Sequence, residues 1–276
     1  MSFTIRSNVS SMTAQRNLES TQMELSSSLS KLSSGMRITK AGDDAAGLGI
    51  SVNLESQIKS YSQASRNAND GISVVQTAEG ALNESTNILT RMRELAMEAS
   101  SDGVGATQRG YINTEATELT SELDRIANST EYNGTKLLNG TGTTLDFQVG
   151  IRNVAANDRI SVTTVDATSA TLFGGAAPDL STKAGAQGAL ATIDSALDAV
   201  STARATLGAV GNRLNSAVAT IATASENLSA ADSRIRDVNV AEETSNMSRL
   251  QVLVQAGVSV LAQANQVPQA ALKLLQ

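Results

Sequence analysis

Ile193, Val200, Leu207, Leu214, Ile221, Leu228 and Ile235 recur every seven residues, with no proline among them. This spacing places them all on one stripe of a single helix. At a rise of ~1.5 Å per residue the stripe spans about 63 Å. A compact globule of 276 residues has a radius of gyration of only about 19 Å. The expected molecule is therefore an elongated rod. A strict seven-residue repeat drifts by about 20° per heptad on a straight helix, or about 120° over this stripe. The stripe needs partner helices that wrap with it.

The composition supports helix against helix. Aromatic residues make up 2% of the chain, with no Trp, three Phe and three Tyr. The core must then be built from many small aliphatic contacts, which suits packed helices better than a bulky enzyme interior. His and Cys are absent. Their absence removes Cys/His zinc sites, Ser-His-Asp triads, thiol nucleophiles and disulfides together. Carboxylate or lysine chemistry is left open. The nearest cue is Glu242-Glu243, but adjacent residues do not share a helix face and no nucleophile or metal set accompanies them. No enzyme activity and no cofactor are expected. The net charge of −6 and the lack of a basic block argue against nucleic-acid binding. The N-terminal segment MSFTIRSNVSSMTAQRN lacks the apolar stretch of a cleavable signal. The apolar run from Leu250 to Ala264 contains Gln251, Gln255 and Gln263, so it is too short and polar for a bilayer. No membrane insertion is expected, and any export must use another route.

Along the chain, residues 1–32 read as a thin amphipathic helix with Leu18, Leu25 and Leu32 seven apart. Such a helix buries too little surface to offset its ordering entropy alone. Residues 33–50 carry Gly35, Gly42, Gly47 and Gly49 and read as a bent connector. From about 51 to 99 a second long helix carries Leu54, Tyr61, Ala68, Val75, Leu82, Leu89 and Ala96 at seven-residue spacing. A break at 100–106 precedes a third helix with Ile112, Ala116, Leu119, Leu123 and Ile126. Asn133-Gly134 and Asn139-Gly140 are turn dipeptides. Leu145–Val149 and Arg159–Thr163 alternate with period two and predict one hairpin. Residues 166–188, rich in Ala, Thr, Gly and Asp, read as an exposed loop.

The last 35 residues, 242–276, carry apolar side chains on several sides. A helix of this kind must be covered. The N-terminal helix is its obvious partner, but its stripe is narrow and leaves apolar surface for neighbouring subunits. Leu250, Val254, Val258 and Leu261 are the interface candidates on this helix, with Leu18, Leu25 and Leu32 on the first. The fold expected is mainly α: a long-helix coiled-coil rod with a small β-hairpin region and paired terminal helices.

Three segments carry a resemblance to a known family. They are KLSSGMRITKAGDDAAGLGIS (31–51), QASRNANDGISVVQTAEGALNE (63–84) and SRIRDVNVAEETSNMSRLQVLVQAGVSVLAQANQVPQAALKLL (233–275). All resemble bacterial flagellin, in the same order and at the same ends. The resemblance covers roughly residues 1–165 and 188–276.

It implies a subunit exported unfolded through the flagellar channel and polymerised at the filament tip, as a structural part of a secreted motility organelle. Residues 1–32 with 242–276 would form the inner core, 33–50 and 236–241 the connectors, and 51–165 with 188–235 the outer core. Residues 166–187 would stand in place of a variable domain. Arg37, Lys40, Asp43 and Asp44 would serve the spoke between the two layers. Arg91, Leu95 and Glu115 match positions where many flagellins contact a Toll-like receptor, although Glu98 stands where Gln is frequent in that pattern. The implied partners are the chain itself in a helical homopolymer, other flagellins, a filament cap protein, hook-junction proteins and an export chaperone. The alternative is a hook–filament junction or other axial protein. A non-flagellar coiled-coil scaffold would share the heptads but not the terminal segments.

Overall fold

The computed structural model describes the backbone of residues 7–273 and the side chains of 7–266. Helices dominate: α1 (Val9–Ser34), α2 (Ala45–Ala99), α3 (Ala106–Ser129), α4 (Ala155–Asp158), α5 (Ser169–Leu172), α6 (Lys183–Arg236) and α7 (Val240–Lys273). Four short strands, β1 (Glu131–Tyr132), β2 (Thr135–Lys136), β3 (Thr144–Gln148) and β4 (Arg159–Thr163), pair in two antiparallel ribbons. The mainly α reading therefore holds. The chain divides into two compact units, one of Met1–Ile58 with Asn227–Gln276 and one of Lys59–Glu226.

In the second unit the heptads form the core. Ala68, Val75, Leu82, Leu89 and Ala96 of α2 are buried, as are Ile193, Val200, Leu207, Leu214 and Ile221 of α6. Alanines within these stripes let helix backbones approach closely. From α3, Ile112, Ala116, Leu123 and Ala127 complete the interior. At Gly71 neighbours press close: a methyl there would stand 3.0 Å from the Phe147 ring and 3.2 Å from Leu214 Cδ1. A glycine inside α2 thus stands where β3 and α6 press in.

The expected hairpin is present, with Leu145 opposite Val162 and Phe147 opposite Ile160. Asn67 Nδ2 donates to the Gln148 carbonyl at 3.0 Å and fixes β3 to α2. Asn133-Gly134 makes a second, smaller hairpin between β1 and β2. Both turn residues have positive φ, 49° and 79°, as a two-residue type I′ turn requires.

The expected exposed loop at 166–187 is corrected. Ala167, Leu172, Phe173, Leu180 and Ala186 are all buried. Asp124 of α3 accepts from Ser169 N at 2.8 Å and from Ser169 Oγ at 2.7 Å, capping α5. Asn113 Oδ1 accepts from Leu180 N at 2.8 Å. The few apolar residues here follow no helical or strand period, so periodicity could not signal their burial. The helix α6 also starts at Lys183, ahead of the expected 188.

In the first unit α1 and α7 pack antiparallel. Asn8 Nδ2 donates to the Ala264 carbonyl at 2.9 Å at one end, and Ser28 Oγ donates to the Glu243 carboxylate near the other. Asn8 also caps α1, accepting from Ser11 N at 3.1 Å. Gly35 at φ 72° ends the helix, a left-handed position that favours glycine. The connector is shorter than expected. Asp44 accepts from Gly47 N at 2.8 Å and starts α2 at Ala45, so Gly47 and Gly49 lie inside the helix. The N-cap contributes about 1 kcal/mol and fixes where the helix starts, while the cost of about 1 kcal/mol per glycine is carried by the rest of this 55-residue helix. On the other side, α7 begins at Val240 and leaves only residues 237–239 outside a helix.

Candidate functional site

The α1·α7 pair sorts the apolar residues of both helices into two groups. On α1, Leu18, Leu25 and Leu32 are half-buried toward α7. On α7, Leu250 is buried at 3% exposure, and Val254 and Leu261 are half-buried. Leu18 fits the space left by Gly257, where a methyl would stand 3.2 Å from Leu18 Cδ1. Six of the seven interface candidates thus face inward within the chain. Val258 differs, with 52% of its surface exposed.

Val252, Leu253 and Val260 are also exposed on α7, and Val9, Met12, Met23 and Leu29 on α1. Leu253 and Val260 edge a shallow groove floored by Ala14, Leu18 and Gly257. The seven-residue stripes could not locate most of this outward set, because Val9, Met12, Met23 and Val252 lie off them; Leu29 widens the α1 stripe in sequence yet stays 49% exposed. The eleven-residue spacing of Met12 and Met23, about three turns, is the signal that could have found its α1 part.

The connector is a backbone clasp. Arg37 N donates to the Arg236 carbonyl at 2.6 Å and Val238 N to the Gly35 carbonyl at 3.0 Å. Met36 and Asp237 form the bridge between them. The Arg37 guanidinium donates to the Ile235 carbonyl at 2.6 Å, placing a cation at the negative end of α6. Asp43 accepts from Thr39 N, Lys40 N and Thr39 Oγ1 at 2.9, 3.0 and 3.0 Å. The backbone N–H groups of Thr39 and Lys40 hold its carboxyl below the usual carboxylate range. Lys40 contributes through its main chain, while Ile38 is buried and anchors the segment. All four connector candidates therefore lie in one short stretch: Arg37, Asp43 and Asp44 hydrogen-bond through their side chains and Lys40 through its main chain.

Arg91, Leu95 and Glu115 do not form one exposed surface. Arg91 Nη2 lies 2.9 Å from Glu115 and Nη1 lies 3.1 Å from Glu94. The Glu115 hydrogen bond, then that of Glu94, raises the Arg91 pKa. Leu95 is 2% exposed and belongs to the core. Residues four apart on a long helix share a face broadly, but the edge of that face is already solvent while its centre is interior.

Among the described residues no group of three or more acidic side chains is placed to hold a metal, and no helix is long and apolar enough to cross a membrane. What the geometry does present is paired helices with an outward apolar surface.

The model of the bacterial flagellin N-terminal helical region matches residues 5–143, and that of the C-terminal helical region matches residues 190–275. The chain belongs to the bacterial flagellin family. A flagellin from Halalkalibacterium halodurans is 45% identical over 272 residues, covering 99% of each chain. A Bacillus subtilis flagellin is 40% identical, again over 99% of each. A crystal structure of Bacillus cereus flagellin superposes with a TM-score of 0.51 at 30% identity, over 56% of this chain and 88% of that one. Flagellin is a structural family, and its two matched regions hold the α1·α7 pair, the connector clasp and the long helices of the second unit.

Proposed function

We infer that this flagellin-family chain is a structural subunit of the bacterial flagellar filament, exported from the cell and self-assembling through its terminal helices. Full-length likeness to flagellins supports the filament role. The observation that supports the route of assembly is the outward apolar set on α1 and α7, which includes Val258, Val252, Leu253 and Met12. Burying a large aliphatic side chain is worth roughly 1.5–3 kcal/mol, and a polymer repeats that gain at every subunit. Leu18, Leu25, Leu32, Leu250, Val254 and Leu261 act indirectly in this reading. They build the pair that presents Val258 and its neighbours to the next subunit.

The proposed layers follow the same logic. The terminal helices form the inner core, and the second unit forms the outer core. The clasp through Arg37, Lys40, Asp43 and Asp44 fixes the path of the chain between them. No catalytic role is proposed. A cap protein, hook-junction proteins, an export chaperone and companion flagellins are proposed partners on family likeness. Recognition by a Toll-like receptor is proposed through Arg91 and Glu115, with Leu95 supporting the helix from within. Arg91→Ala should lower receptor signalling by purified monomer, and equal signalling would reject that contact.

Sedimentation and electron microscopy test the main reading, comparing the full chain with one lacking residues 1–32 and 242–276. Filaments from the first and soluble monomer from the second are expected. The same filaments from both would place the assembly contacts elsewhere.

A further inference from the structure

Two of the large apolar side chains that α1 exposes are methionines. Met12 is 61% exposed and Met23 63%. They stand eleven residues apart, about three helical turns, and so on one side. That side is opposite the one on which Leu18, Leu25 and Ser28 meet α7. Val9 and Leu29 are the other exposed large apolar residues of this helix. Between Met12 and Met23 the outward side carries Arg16, Glu19 and Ser20. The thioethers therefore supply most of its apolar contact. The exposed large apolar residues of α7 are all Val or Leu, which mild peroxide leaves intact, and Met247 of α7 and Met36 of the connector are only partly exposed. The chain has no Cys, His or Trp to compete for oxidant. Met92 is fully buried and shielded, and Met97 is exposed in the other unit at 53%.

We propose that Met12 and Met23 are oxidation sites through which hydrogen peroxide blocks assembly of the free subunit. The proposal rests on assembly through the terminal helices. Each methionine sulfur attacks one peroxide oxygen. The O–O bond breaks, an S–O bond forms, and the second oxygen leaves as water with both protons. The sulfur is oxidised by two electrons and the peroxide is reduced. The product sulfoxide is polar where the thioether was apolar, and a methionine sulfoxide reductase reverses it. Once subunits are assembled, the same side chains are covered and protected.

The test treats purified full-length monomer with hydrogen peroxide, quenches with catalase and maps sulfoxides by peptide mass. Seeded polymerisation then gives the critical concentration. Sulfoxide at Met12 and Met23 should raise it by about tenfold per site, and reductase treatment should restore it. Met12→Leu/Met23→Leu should assemble after the same treatment, whereas Met97→Leu should stay as sensitive as the parent. Fully sulfoxidised monomer that assembles like untreated protein would overturn the proposal. So would a leucine double variant that loses assembly as the parent does. If that variant assembles poorly before treatment, Met12→Gln/Met23→Gln replaces it. This polar mimic must raise the critical concentration without peroxide, and normal assembly refutes the idea. Filaments from a chain lacking both terminal segments would instead refute the underlying assembly reading.

Discussion

Replacing Val252, Val258 and Val260 together with Thr probes the outward face of α7 without changing side-chain shape. These positions are 64%, 52% and 57% exposed; Val252 lies opposite the stripe that meets α1, and Val258 and Val260 flank that stripe, with Val260 at the edge of the groove beside α1. The new hydroxyls need not be left unpaired. Helical threonines in this chain already donate to the carbonyl four residues back, as Thr77 does to Ser73 at 2.8 Å and Thr220 to Ser216 at 2.9 Å. The cost is therefore the lost apolar burial on assembly. A fully buried Val contributes about 1.5 kcal/mol at the low end. Slightly more than half of each side chain remains to be covered, which gives about 0.8 kcal/mol per site and ~2.5 kcal/mol for three. At 1.4 kcal/mol per decade, the critical concentration should rise about 60-fold. Seeded sedimentation measures it, while thermal melting of the second unit should not move. A critical concentration within twofold of the parent would show that this face stays in solvent in the polymer. The single variants then tell which side of α7 is covered.

Leu214→Ala removes a fully buried side chain of the second unit and should cost about 2–5 kcal/mol. Calorimetry should find the melting point lower by about 2–4 °C per kcal/mol. Gly134→Ala puts a Cβ on a residue at φ 79° and should cost roughly 1–2 kcal/mol, read as faster amide exchange in the β1–β2 hairpin. Asp43 has its carboxyl held below the usual range by the Thr39 and Lys40 backbone. Its contribution is therefore fully present above the unfolded value of about 3.9 and is lost as pH falls through the lower folded value. Exchange of the Thr39 and Lys40 amides should stay protected at pH 5 and open in stronger acid, and Asp43→Asn should abolish that pH dependence.

The long helices were legible because a seven-residue repeat is a one-dimensional property of the chain. Ile193 through Ile221 and Ala68 through Ala96 announce their buried side before any partner is known. The β3–β4 hairpin was legible for the same reason, its alternation having period two. Asn133-Gly134 was legible as a turn because positive φ at both central residues limits which residues can stand there. The terminal segments also carried the family likeness directly.

Tertiary structure decided what local pattern could not. Leu172, Phe173 and Leu180 are too few and too irregular to show a period, and only the surfaces of α3 and its neighbours make them core. Asp44 caps the Gly47 N–H and sets the start of α2, and the long packed helix that follows absorbs the cost of Gly47 and Gly49. Leu95 became interior and Arg91 surface through the placement of α3, with Glu115 as the partner. Most of all, the sequence determined that the terminal helices carry more apolar surface than either needs. Only their antiparallel pairing decided which residues are spent inside the chain, such as Leu250, and which face outward, such as Val258. A helix has many apolar sides on paper, and the partner that packs first chooses which one remains for the next subunit.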